Sequence, residues 1–152
     1  MKSIVSLLVF LAFVALAAVV GSHFQPGPWF EELAKPSWNP PNWVFAPVWT
    51  ILYVAMAVAG WLAWKRSGER VTPLLALWFV QLALNAAWSW LFFGLHRPDL
   101  SLVDIVALLA CIVTFALRVR GLSPAAFWLF VPYALWVAFA TALNAAIWRL
   151  NA

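Results

Sequence analysis

At 152 residues, with 66% hydrophobic and only 9% charged side chains, the chain is too apolar for a water-soluble domain, where about one quarter of residues carry charge. Its net charge of +4 comes from few, scattered Lys and Arg residues without a basic stripe, which argues against nucleic acid as a partner. A mean hydropathy of +0.95 and long apolar runs without strand-like alternation point to membrane helices, and the length suits one compact bundle.

The first apolar run covers about 3–24. Lys2 ahead of it and Ala17, Ala18 and Gly21 near its end resemble a secretory leader, but the run exceeds an h-region of about 7–15 residues, so a retained helix is expected. The longest polar segment follows, from Gln25 to Asn42. It has room for one helical turn over Pro28–Ala34, with proline at the first helical position and Glu31 and Glu32 near the positive end. Its second half opens the stretch Lys35 to Trp49, which holds Trp38, Trp43 and Trp49 among Pro36, Pro40, Pro41 and Pro47. Each proline fixes its own φ and pushes its predecessor into extended backbone, so the chain up to Asn42 is stiff and non-helical. The expectation is a rigid aromatic lid over a pocket between helices.

The second span is expected over about 43–64, with Pro47 tolerated in its first turns and Lys65-Arg66 stopping it. A short link from Ser67 to Val71 makes the second and third spans antiparallel neighbours. The third covers about 73–93, with Thr72 as cap, Pro73 at the first helical position and Gly94 closing it. The fourth covers about 101–119, and Ser101 with Asp104 has the spacing of a capping box. Ser123-Pro124 opens the fifth, about 124–150, in which Pro132 predicts a kink. The fold class is therefore an all-α membrane protein, a bundle of five transmembrane helices with a structured first loop. Five spans put the termini on opposite sides. Lys2, Lys65, Arg66, Arg70, Arg118 and Arg120 share the N-terminal side, against Lys35, Arg97 and Arg149 on the other. The positive-inside rule then puts the N-terminus in the cytoplasm and the aromatic loop outside.

Three polar or aromatic faces stand out. Gln81, Asn85, Trp88 and Phe92 recur at i, i+4, i+7 and i+11 on one face of the third span. Amides in lipid need partners, so that face either holds the bundle together by interhelical hydrogen bonds or lines a wet or ligand-filled cavity. In the fifth span Trp136, Ala140 and Asn144 share a face, with Tyr133 close by and Ala140 leaving a recess. Trp49 and Tyr53 share a face of the second. Together they describe an aromatic cavity dotted with amides, suited to a flat, greasy ligand with polar edges. Of the twelve tryptophans, an interfacial belt accounts for Trp61, Trp64, Trp78, Trp128 and Trp148. Ala134, Ala138, Ala142 and Ala146 form a small-residue stripe for close helix packing, within a protomer or between two, and Ala83 and Ala87 offer another contact. His23 and His96 are isolated, Cys111 reads as an inert buried thiol, and no residue set suggests a metal site. Catalysis finds little support: there is no Ser/His/Asp set, paired carboxylate or Gly-rich phosphate loop.

Several blocks carry a family resemblance: Gly21-Ser-His-Phe24, Lys35-Pro-Ser-Trp-Asn-Pro-Pro-Asn-Trp43, Pro47-Val-Trp49, Gln81-Leu-Ala-Leu-Asn85, Phe92-Phe-Gly94, Leu102-Val-Asp104 and Pro132 through Asn144, followed by Trp148-Arg149. Through them the sequence resembles the TspO/translocator protein family, also called tryptophan-rich sensory proteins or peripheral benzodiazepine receptors. The resemblance implies a five-helix bundle, often a homodimer, with a pocket closed by the first loop. It implies porphyrin or haem as ligand rather than a resident cofactor, with benzodiazepine-type drugs as further family ligands. Positions matching the family pocket are Trp29, Trp38, Pro40, Trp49, Tyr53, Asn85, Trp88, Trp136 and Ala140, joined by Gln81, Phe92 and Asn144 from the faces above. Some bacterial members are reported to degrade porphyrin in light, which would give Trp49 and Trp136 a catalytic part. A partner-binding scaffold is the third reading. Animal members also bind cholesterol through a motif whose tyrosine is Ala145 here, so sterol binding is not expected. The inner membrane is the expected location, although family members also occur in outer membranes.

Overall fold

The computed structural model describes residues 2–67 and 71–152. Among them every regular element is helical: α1 (Lys2–Ser22), α2 (Pro28–Glu32), a 3-10 turn (Asn42–Val44) running into α3 (Phe45–Arg66), α4 (Val71–Ser89) continued by a π turn (Trp90–Gly94), α5 (Pro98–Val119) and α6 (Pro124–Asn151). Five of these helical segments are long and apolar enough to cross a membrane. The link at 68–70, with Arg70 of the basic count, lies outside the described residues.

α1 packs on α3 and α4, α3 on α6, α6 on α5, and α5 on α4, which closes a ring in the order α1, α3, α6, α5, α4. Lys65 Nζ at the end of α3 donates to Ser3 Oγ at the start of α1, while Asn151 at the end of α6 bonds the first loop at Ala34. The chain ends therefore lie on opposite faces of the bundle. The main core runs through the ring centre around Met56, Trp78, Ile112, Phe115, Phe130 and Tyr133, all with essentially no exposure.

Four local expectations are corrected. Trp78 is not an interfacial residue: it has no exposure, donates from Nε1 to Met56 O at 2.9 Å, and lies flush against Gly60. Only a glycine on α3 leaves room for the ring, a pairing invisible along α4 alone. The capping box at Ser101 does not form, because α5 begins earlier, at Pro98 behind Arg97. Ser101 Oγ instead approaches Pro98 O and Asn144 Oδ1, and Asp104 Oδ2 is buried without a partner. Thr72 is no cap, since α4 is already helical at Val71. The end of the third span is a π turn rather than α-helix, with Leu95 N donating to Trp90 O at 2.8 Å. α6 remains helical through Pro132, and Ser123 Oγ caps it by accepting from Ala126 N.

Candidate functional site

The small residues at the end of α1 let the helices meet. A methyl group on Gly21 would lie 3.5 Å from Ser89 Oγ and 3.9 Å from Tyr53 Oη. Beneath this crossing lies a cavity of about 390 Å³ bordered by all five spans. α3 contributes Phe45, Trp49 and Tyr53; α4 and its π turn contribute Asn85, Trp88 and Phe92; α6 contributes Trp136, Ala140 and Asn144. Ile105 and Leu108 of α5 form an apolar floor, and Phe30 of α2, with Gln25, Pro26 and Asn42, closes the loop side.

The aromatic walls brace one another. Trp49 lies 5.5 Å from Tyr53 and 6.4 Å from Tyr133, centroid to centroid. Trp136 sits between Phe45 at 5.7 Å and Phe139 at 5.6 Å, and Trp88 stacks on Phe92 at 5.1 Å. Such pairs favour offset or edge-on contact and hold each ring in place.

The polar groups are engaged with one another across helices. Tyr53 Oη donates to Asn85 Oδ1 at 3.0 Å, Asn85 Nδ2 donates to Tyr133 Oη at 3.1 Å, and Tyr133 Oη donates to Gln81 Oε1 at 2.8 Å. This one-way chain ties α3, α4 and α6 together, and leaves Tyr53 Oη able only to accept from a ligand. A second knot centres on Asn144: its Oδ1 accepts from Trp88 Nε1 at 2.9 Å and its Nδ2 donates to Pro98 O at 2.8 Å. Among the described residues two buried side-chain donors have no partner, Trp136 Nε1 and Gln81 Nε2.

Of the residues singled out from the sequence, Trp49, Tyr53, Asn85, Trp88, Phe92, Trp136, Ala140 and Asn144 border this cavity. Trp29, Trp38, Pro40 and Gln81 do not. Trp29 stacks on His96 at 4.2 Å with rings 10° from parallel, and meets the outer edge of Phe92. Trp38 is 46% exposed and packs edge-on against Phe139. Gln81 is fully buried in the bundle. These two tryptophans pin the loop from outside. Phe30 does so from within, wedged against Phe92 and Phe93 with Lys35 Nζ 4.6 Å from its ring centre. Asn151 completes the fastening: its Oδ1 accepts from Ala34 N at 3.0 Å and its Nδ2 donates to Ala34 O at 2.9 Å. The sequence reading missed Phe30, Phe45, Ile105 and Leu108, and it placed Ala18 and Gly21 in a retained first helix without assigning them to the pocket.

Among the described residues no three His, Cys, Asp or Glu side chains cluster. Cys111 Sγ contacts Leu77 O, and His23 Nδ1 contacts Val19 O within its own helix. The chemistry on offer is aromatic contact and limited hydrogen bonding.

Residues 6–149 match the TspO/MBR family. The chain is 42% identical to the tryptophan-rich protein TspO of Chlorobaculum tepidum, over 99% of this chain and 98% of that one. It is 41% identical to the translocator protein of Homo sapiens, over 90% and 85% of the two chains, and 38% identical to protein CrtK of Rhodobacter capsulatus, over 94% and 91%. With its sequence matched almost end to end and its five apolar helices ringed around one aromatic cavity, the chain is a multi-pass membrane protein and belongs to the TspO/MBR family.

Proposed function

We propose that the protein binds porphyrin or another tetrapyrrole in the cavity beneath the first loop, for transport or stress-linked regulation of that ligand. The observation that carries this reading is the pair of indoles, Trp49 and Trp136, set in one cavity wall with Tyr53 and roofed by a loop fastened at Ala34. A volume of about 390 Å³ falls within the roughly 300–1,000 Å³ usual for small-molecule pockets. Flat rings gain most from such walls. Purified protein titrated with protoporphyrin IX should show quenched tryptophan fluorescence with saturation. Trp49→Phe combined with Trp136→Phe should weaken that binding about tenfold, because two indoles are cut down to smaller phenyl rings. Absence of quenching at micromolar porphyrin would overturn the proposal.

A second reading is light-driven porphyrin degradation, favoured by both indoles bordering the same cavity. It requires a discrete product under illumination, formed faster than in empty detergent micelles and lost in the same double variant. For assembly, the α6 stripe supports a homodimer: Ala138 and Ala142 are exposed, flanked by half-buried Ala134 and Ala146. The six-to-three excess of basic residues on the N-terminal side supports the inner membrane, with the loop outside.

A further inference from the structure

A second hollow lies on the opposite face of the bundle and shares no residue with the cavity. It is a groove of about 630 Å³, lined by Val5, Val9 and Phe13 of α1, Trp64 of α3, and Leu75 and Phe79 of α4. Its walls are apolar throughout except for Ser6. Phe13 and Phe79 meet edge-on at 5.0 Å and Phe10 faces Trp64 at 6.4 Å, so the groove has fixed aromatic sides.

A cation is built beside it. Lys65 follows Trp64 at the end of α3, its Nζ sits 4.5 Å from the Trp61 ring centre, and it donates to Ser3 Oγ at 3.2 Å. Trp61 is itself held, donating from Nε1 to Ser6 Oγ at 3.1 Å. Lys65 is therefore a positioned ammonium rather than a freely swinging one. One of its three N–H donors goes to Ser3, and the others meet no acceptor among the described residues.

We infer that this groove is a binding site for one anionic phospholipid, whose acyl chain lies along Val5, Val9, Phe13 and Phe79 and whose phosphate meets Lys65. Charge complementarity selects the occupant. Any lipid tail fits apolar walls, but only an anionic headgroup gains from the Lys65 ammonium beside the groove's end, which raises affinity about fivefold. Trp61 and Trp64 stand at headgroup depth, where indoles settle.

The test is native mass spectrometry of the full chain in detergent, titrated with dioleoyl-phosphatidylglycerol or dioleoyl-phosphatidylcholine. The anionic lipid should bind about fivefold more tightly. Lys65→Gln should bring its affinity close to that of the zwitterionic lipid. Val9→Trp fills the groove from a position 47% exposed, and should weaken both lipids while leaving porphyrin quenching unchanged. Because Lys65 also joins α1 to α3, Ser3→Ala removes that joint while keeping the charge, and should leave the preference for the anionic lipid in place. Equal affinities for the two lipids, a preference that survives Lys65→Gln or is lost in Ser3→Ala, or affinities that Val9→Trp leaves unchanged, would overturn the inference.

Discussion

Gly60→Ala should be among the most damaging one-carbon changes in the bundle. A Cβ at Gly60 would stand 2.3 Å from Trp78 Nε1, 2.5 Å from Cε2 and 2.9 Å from Cδ1. The ring cannot swing aside freely, because Nε1 is bonded to Met56 O at 2.9 Å and Phe10 and Phe79 contact it at 4.9 and 5.0 Å. Overpacking a tight core costs about 1–3 kcal/mol. Pulling Nε1 from its carbonyl leaves a buried donor unmet, for roughly 1–3 kcal/mol more. The better helix propensity of alanine returns up to ~1 kcal/mol. The net expectation is a loss of about 1–6 kcal/mol, centred near 3. The assay is reversible denaturant unfolding in detergent, read by far-UV circular dichroism. Gly121→Ala, where a Cβ meets nothing within 4 Å, is the matched control and should stay within about 0.5 kcal/mol of the parent. A Gly60→Ala midpoint equal to that of the control would refute the placement of Trp78 in the core.

Two further substitutions probe the polar network and the loop. Tyr133→Phe removes the hydroxyl that accepts from Asn85 and donates to Gln81, both buried, and should destabilise the bundle by about 1–3 kcal/mol in the same unfolding assay. Asn151→Ala cuts both bonds to Ala34 while leaving α6 helical, so ligand release measured by stopped-flow fluorescence should quicken roughly three- to tenfold with circular dichroism unchanged. An unaltered release rate would mean that Asn151 does not hold the loop.

What the sequence made legible follows the range of its signals. Apolar runs set the five spans, and helical spacing alone aligned Asn85 with Trp88 and Trp136 with Ala140, all of which border the cavity. Periodicity cannot say what stands opposite a residue. Trp78 carries the same local signal as an interfacial tryptophan, and only Gly60 on α3 reveals it as core. Gln81 shares the face of Asn85 yet lies one turn too deep, where Tyr133 takes it up. The capping-box spacing at Ser101 lost to Pro98, a stronger local start three residues earlier. In the loop, stiffness was readable from its prolines, but the direction of each indole was not: Trp29 and Trp38 grip His96 and Phe139 from outside while Phe30 enters the roof. The fastening of Ala34 by Asn151 spans 117 residues and leaves no local trace.

The question left open by the sequence, whether the buried amides hold the bundle or face a ligand, has an answer in which one set of atoms does the first and restricts the second. Asn85 joins Tyr53 to Tyr133, and Asn144 joins Trp88 to Pro98. Both border the cavity, but their strongest hydrogen-bonding positions already face protein. A ligand in the cavity would therefore meet mostly aromatic faces, with one phenolic acceptor at Tyr53. Recognition through so few directional contacts depends on shape and ring area more than on a fixed polar pattern. The consequence separates two classes of variant. Changes at Asn85, Asn144 or Tyr133 act first on stability, and any loss of binding follows from the disturbed fold. On the proposed function, changes at Trp49 and Trp136 should leave the interhelical bonds intact and act on affinity. Were Trp49→Phe and Trp136→Phe to lower stability as much as Tyr133→Phe while sparing affinity, that division would be wrong, and the indoles would be core residues with a hollow beside them.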